Sequence, residues 1–307
     1  MYFPVAGIEV SPFIPPLVAF GISFFASMGG ISGALLLLPF QMSVLGYTNP
    51  SVSATNQFFS VVAIPSGVYR YIKEKRMVWP LTIVIAVGTL PGVFLGAFVR
   101  IAWLPDPKQF KLFAAAFLLY MGGKLAKDLI TKKPTPSTQQ TGNAAASKTT
   151  QATDQSFVVE VLEFSTRRIA YTFQGETYSC ATFGVFMISF IAGIFGGAYG
   201  IGGAAIIAPF IVSWFRLPIH TISGATLMGA FLTSVAGVLF YTLIAPYFPQ
   251  QSVAPDWALG LLFGLGGIAG VYCGARCQKY APAAAITWML CIITIGTAIK
   301  YVLEYLR

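Results

Sequence analysis

Uncharged apolar runs of membrane-crossing length recur along this chain, and no other feature constrains its fold so strongly. Trp79 to Val99 and Trp257 to Cys273 are two of them. Each is close to the ~20 residues a helix needs to cross the hydrocarbon core of a bilayer. A single run would fit a buried helix of a soluble core; a whole series does not. Only 9% of the 307 residues are charged, against roughly 25% in soluble domains. That is too little charge to cover a water-facing surface, so the chain reads as an all-α polytopic protein of the cell (inner) membrane.

The apolar segments run over 12–46, with a break, then 52–70, 78–100 and 109–130, and after an interruption over 180–214, 221–245, 257–276 and 283–305. No Lys or Arg precedes Arg70, which favours an uncleaved first membrane segment over a cleaved secretory signal. The interruption has a different character. Thr131 to Ser156 is rich in Thr, Ser, Gln, Ala and Pro and reads as a flexible linker. Phe157 to Ser179 alternates apolar and polar residues about a Gln174-Gly175-Glu176 turn, the pattern of a small cytoplasmic β-ribbon. Three regions follow: a first membrane repeat over 12–130, linker and ribbon over 131–179, and a second membrane repeat over 180–305.

The word repeat rests on ordered matches. Gly30-Ile-Ser-Gly-Ala34 is answered by Gly200-Ile-Gly-Gly-Ala204, and Pro39-Phe40 by Pro209-Phe210 at the same offset. Ser53-Ala-Thr55 is answered by Ser223-Gly-Ala-Thr226, and the glycines at 88, 92 and 96 by those at 266, 270 and 274. Charge then sets orientation. The loop after the second segment carries Arg70, Lys73, Lys75 and Arg76, whereas its counterpart, Pro246 to Asp256, has no Lys or Arg. If basic loops face the cytoplasm, the two halves are inverted repeats. Arg100, Lys108 and Lys111 fall outside, against the rule. Inversion needs an odd number of crossings per half, so each half is expected to hold a glycine-broken helical hairpin plus three transmembrane helices. The total is ten short crossings, or six plus two re-entrant hairpins.

The glycine breaks are the candidate site. At Gly88/Gly92/Gly96 and Gly266/Gly270/Gly274 regular spacing favours close helix packing. At Gly30, Ser32 and Gly33, and at Gly200, Gly202 and Gly203, clustered glycines interrupt the helix instead, and main-chain N–H groups freed in a bilayer must find a partner. Such N–H groups favour anions. Thr55, Asn56 and Gln57, with Thr226 on the matching segment, could complete an anion's coordination; helix caps or interhelical hydrogen bonds are the competing reading. His220, beside Pro218, is read as a surface or interface histidine. The expected partners are a small anion and the lipid bilayer, with a homo-oligomer allowed. No nucleic acid, metal, cofactor or catalytic residue is expected. The net charge of +9 lies between segments rather than in a nucleic-acid patch. None of the ten acidic residues falls in mid-segment, which argues against a carboxylate proton relay, and no buried Lys or Arg is expected as a counter-charge. The four cysteines lack metal or disulfide spacing; Cys273 and Cys277, one turn apart, read as packing residues.

The paired Gly-Ile-Ser-Gly-Ala and Gly-Ile-Gly-Gly-Ala breaks, each followed by Pro-Phe, resemble those of the TauE/SafE sulfite exporter family. So do the Ala-Thr elements and the glycine-spaced third segments. The resemblance covers both membrane halves. It implies a transporter exporting, or in some members taking up, sulfite or a related small organosulfur oxyanion; the paired breaks and the lack of intramembrane charge place the expected anion site near the membrane midplane. An anion channel or a non-transporting membrane subunit is the alternative, and a membrane-embedded enzyme a more distant one. Ser32, where the second break has Gly202, makes the two breaks unequal.

Overall fold

The computed structural model describes residues 1–28, 32–73, 77–131, 159–173, 175–215, 217–277 and 283–306. Gly30 and nearly all of the Thr131–Ser156 linker therefore lie outside the described residues. A minimal hairpin, β1 (Tyr2–Phe3) and β2 (Ile8–Glu9), precedes α1 (Ile14–Met28), α2 (Ala34–Ser43), α3 (Ser51–Ala63), α4 (Pro65–Lys73), α5 (Trp79–Ala102) and α6 (Pro107–Thr131). Three strands follow, β3 (Glu160–Phe164), β4 (Arg168–Phe173) and β5 (Glu176–Ala181), forming an antiparallel sheet in that order. The remainder is α7 (Thr182–Tyr199), a 3-10 turn over Gly203–Ile206, α8 (Ala208–Phe215), α9 (Ile219–Ile244), α10 (Trp257–Cys277) and α11 (Ala283–Leu306). The chain is thus mainly helical with two small sheets. Among the described residues, four helices are long and apolar enough to span a bilayer: Trp79–Ala102, Thr182–Tyr199, Thr221–Tyr247 and Trp257–Gly274.

Local chemistry explains where segments divide. The 52–70 run splits at Pro65, which has no N–H to continue α3 and starts α4 instead. Its counterpart lacks such a proline, and α9 runs on for 26 residues. His220 falls in the first turn of α9. At ten residues, α2 rises about 15 Å, half of a hydrocarbon core of ~30 Å, so α2 is too short to cross it alone.

Helix pairing follows the glycines. α5 lies along α7, α1 along α10, and α6 along α11; α5 also meets α9, α10 meets α3, and α3 crosses α9. A Cβ on Gly88 would stand 2.8 Å from Ser189 Cβ and 2.9 Å from the Phe186 carbonyl. Gly92 and Gly96 press on the carbonyls of Phe190 and Ile194, and Gly266, Gly270 and Gly274 on those of Pro16, Phe20 and Phe24. Backbone therefore meets backbone, which only a glycine stripe permits. Outward-facing Leu17, Leu239, Leu243, Leu261 and Leu265 are exposed, as suits helices that meet lipid.

The two ends of the bundle differ. At one end, Asn49 Nδ2 and Ser252 Oγ both donate to the Val5 carbonyl (3.3 and 2.8 Å), and Ala6 N–H donates to Asp256 Oδ2 at 3.3 Å. This terminal end gathers the chain start, the α2–α3 loop and the α9–α10 loop. Lys111 and Glu304, paired at 2.6 Å, bring the start of α6 and the end of α11 together. At the other end β5 runs directly into α7, and the hydroxyls of Tyr171 on β4 and Thr221 on α9 lie 2.8 Å apart. A Cβ on Gly224 would lie 3.2 Å from the Tyr71 ring of α4, so α4 also reaches this sheet end.

Candidate functional site

α7 ends inside the bundle, and its last carbonyls need donors that lipid does not supply. Side chains from α3 and α9 provide them. Tyr241 Oη donates to the Gly197 carbonyl (3.1 Å), Ser53 Oγ to Ala198 (3.0 Å) and Asn56 Nδ2 to Gly200 (2.9 Å). The chain then turns left-handed at Gly200 (φ +84°) and again at Gly202 (φ +67°). Glycine is required at Gly200, where a side chain would also run into the main chain of Ser53.

Asn56 does more than cap α7. The same amide nitrogen donates to the Ala34 carbonyl at 3.0 Å, and its oxygen accepts from Gln41 Nε2 at 3.3 Å. Tyr199 Oη adds a bond to the Leu35 carbonyl at 2.9 Å. The start of α2 and the end of α7, one from each glycine break, are thus joined through a single buried asparagine and a tyrosine. Gly33 sits where a Cβ would lie 2.7 Å from Ser23 Oγ, and Gly203 where it would lie 2.9 Å from the Gly193 nitrogen. Both breaks press on the first helix of their own half at matching places.

Gln57 behaves differently from its neighbour. It is fully buried, yet neither amide atom has a hydrogen-bond partner. Its amide lies against α9 at Gly237, where a Cβ would be 2.6 Å from Cδ. One turn back on the same face of α9 is Ser234, also fully buried and without a partner, beside which a Cβ on Gly202 would stand 2.6 Å from Oγ. Buried polar groups are rarely left unpaired, and each such group costs about 1–3 kcal/mol. Gln57 on α3 and Ser234 on α9, the latter against Gly202 of the second break, are thus two uncharged, unpartnered polar groups on helices that meet.

The remaining expected residues are committed elsewhere. Thr55 lies 2.8 Å from the Tyr47 hydroxyl and accepts the Asp256 N–H at 2.9 Å, a tie across the terminal end. The Thr226 hydroxyl turns back to the carbonyls of Ile222 and Ser223, both at 3.2 Å. Ser32 is half-buried, and its carbonyl takes the Leu35 N–H at 3.1 Å.

Comparison with known proteins identifies the family. The profile of the sulfite exporter TauE/SafE family matches residues 16–301, which spans both glycine breaks and all but the ends of the chain. The chain belongs to the TauE/SafE family. Two similar relatives come from Bacillus subtilis (strain 168). The probable membrane transporter protein YunE is 21% identical over 291 residues, covering 91% of this chain and 92% of its own. The probable membrane transporter protein YdhB is 28% identical over 105 residues, covering 34% of this chain and 40% of its own. No solved structure matches. The TauE/SafE chain is accordingly a multi-pass membrane transporter of the cell membrane.

One expectation is overturned in this TauE/SafE fold. A buried basic residue does exist: Arg100, near the end of α5, is fully buried. Its guanidinium donates to the Leu104 and Thr48 carbonyls, the latter at 3.1 Å, and stacks 3.7 Å above the Phe110 ring centroid. Among the described residues no carboxylate pairs with it. The main-chain carbonyls of two loops converge there and replace water, which position along the helix does not reveal. Sequence reasoning also passes over Ser234, although the Thr233-Ser234 pair one turn before Gly237 in an apolar run is a visible signal. Gln41, a neutral amide following Leu35–Phe40, is another.

Proposed function

We propose that the chain exports sulfite, or a related small organosulfur oxyanion, through a site between the two glycine breaks, with Gln57 and Ser234 as its principal side-chain donors. The observation that carries this reading is the unpartnered, fully buried Gln57 amide. The α7 carbonyls that would repel an anion are already taken up by Tyr241, Ser53 and Asn56. What remains available is the Gln57 Nε2, the Ser234 hydroxyl and the main-chain N–H groups that open the Gly203–Ile206 turn, which have no acceptor within it. Hydrogen sulfite is complementary to such a set. Its oxygens accept, and its single O–H can donate to Gln57 Oε1.

The helix pairing supports an inverted-repeat reading. Exchanging α1 with α7, α3 with α9, α5 with α10 and α6 with α11 leaves the main helix contacts unchanged. α4 and the loop between α9 and α10 also lie at opposite ends. With the sheet end cytoplasmic, Arg70, Lys73, Lys124 and Lys127 obey the positive-inside rule. Of the three exceptions, Arg100 is solvated by main-chain carbonyls and Lys111 is paired with Glu304, while Lys108 stays against the rule. A neutral site needs no coupling carboxylate for export, because an interior-negative potential of about 100 mV favours loss of a monoanion by roughly 2.3 kcal/mol.

Proteoliposomes loaded with labelled sulfite test the reading. Efflux should saturate, accelerate with sulfite outside and follow an imposed potential. Gln57→Leu should remove transport while leaving thermal stability equal or higher, since it deletes two unpaired polar atoms. Efflux no faster than from empty vesicles would sink the substrate; full activity of Gln57→Leu would sink the site. Efflux without acceleration by external sulfite would make the protein a channel.

A further inference from the structure

α6 and α7 stand apart over a cavity of about 400 Å³, closed on its third side by α8 and the turn before it. Aromatic rings face one another around it. Phe113 and Phe117 of α6 lie 6.0 and 6.2 Å from Phe195 of α7, and Tyr120 lies 6.0 Å from Phe210 of α8, all three pairs of planes being close to parallel. The walls are almost wholly apolar, so a water molecule would find too few polar partners to stay. Ile191, Phe195, Tyr120 and Trp214 are exposed along its rim, so the groove opens sideways at membrane depth. The matching place in the other half is filled: Leu36 of α2 is buried with Ile22 and Phe24 of α1 and Met289 of α11 packed on it.

The sheet end of this groove has a different chemistry. Lys124 Nζ stands 4.1 Å above the Phe210 ring, and Lys127 is exposed one turn further along α6. Trp214, 68% exposed, sits on the same rim. An indole beside lysines whose alkyl stems run along apolar surface is the arrangement expected at headgroup level, and lysines there attract anionic lipid. We propose that the groove binds one acyl chain of an anionic phospholipid, with the headgroup phosphate against Lys124 and the Trp214 edge. Hydrocarbon alone would need only the rings; the cationic rim selects the anionic headgroup.

The test uses the full-length protein in phosphatidylcholine vesicles carrying a trace of photoactivatable phosphatidylglycerol or phosphatidylcholine, the diazirine on the acyl chain. Adducts are mapped by mass spectrometry, with lipid-facing α10 peptides around Leu261 and Leu265 as the reference. Phosphatidylglycerol should label α6 and α7 peptides at least fivefold above α10, and phosphatidylcholine much less so. Ala116→Trp should bring groove labelling down to the α10 level. Lys124→Gln, which leaves the cavity open, should keep labelling but bring the two lipids to parity. Uniform labelling of all lipid-facing helices would overturn the site, and equal labelling by both lipids in the unaltered protein would overturn the headgroup assignment. Loss of all groove labelling together with disulfide formation between copies carrying Ile191→Cys would show a second copy there instead.

Discussion

Replacing Asn56 should loosen the junction between the two glycine breaks, by an amount that can be worked from its bonds. Its amide donates to Ala34 and Gly200 at 3.0 and 2.9 Å and accepts from Gln41 at 3.3 Å, all at full burial. Hydrogen bonds between membrane helices average about 0.6 kcal/mol and reach about 1.7. Asn56→Ala removes three, and leaves the Gln41 nitrogen without an acceptor next to an oxygen that already lacks a donor. The loss comes to roughly 2–4 kcal/mol. At about 2–4 °C per kcal/mol, the melting point should fall by roughly 4–16 °C. Asn56→Asp keeps the shape but turns a negative oxygen towards two carbonyls, so it should be worse than Ala. Fluorescence-detected size-exclusion chromatography after a heating series measures both. If Asp melts at or above Ala, the donor geometry described for Asn56 is wrong, and a change under 1 °C for Ala would deny it any bridging role.

Gly96→Val should abolish a monodisperse elution peak, because its Cβ would meet the Ile194 carbonyl and stand 2.8 Å from the Ala198 nitrogen; Gly123→Ala, with nothing within 4 Å, should raise stability by up to about 1 kcal/mol. Burial pushes the Cys180 thiol up to about 11, so its alkylation at pH 8 should run roughly two hundredfold slower than for a free cysteine and keep rising about tenfold per pH unit past 9, as a mass-spectrometric time course would register. Arg100→Lys should lower the melting point more than Arg100→Met, since lysine keeps a buried charge without carboxylate and cannot span both carbonyls; the reverse order would mean the fold needs the charge itself.

Much of the fold was legible because bilayer thickness writes itself into segment length. The 78–100 and 257–276 runs become Trp79–Ala102 and Trp257–Cys277, and the glycine stripes meet backbones as their spacing requires. The site was only half legible. Ser53, Asn56 and Gln57 look alike in sequence, yet two of them cap α7 and one is left unpaired. That difference depends on where Gly237 of α9 comes to lie, a contact between residues far apart in the chain. Arg100 was misjudged for the same reason: a helix-end arginine ordinarily reaches solvent, but the Thr48 and Leu104 carbonyls close over this one. The strand pattern near the linker was readable, but its extent was not; β5 runs to Ala181 and hands straight on to α7.

The matching of the halves also shows why one site, rather than two, is the economical reading. Where Thr55 answers Thr226, the positions answering Asn56 and Gln57 are Leu227 and Met228, and both pack on the hydrophobic core. α9 therefore has no second clamp and no second unpaired amide. Its polar contribution lies further along, at Ser234, on the face that meets Gly202 rather than Gly33. The breaks differ accordingly: Gly33 presses on Ser23, which offers a hydroxyl, while Gly203 presses on the bare backbone of Gly193. On the proposed inverted-repeat reading, the proposed donors therefore lie on the side of the second break. An anion held there by Gln57 on α3 and Ser234 on α9 would bridge one of the two helix pairs, α3 with α9 and α6 with α11, that join matching segments of the two halves. At the proposed site, a shift of one half against the other would change the distance between those two donors directly and so would couple binding to the relative position of the halves.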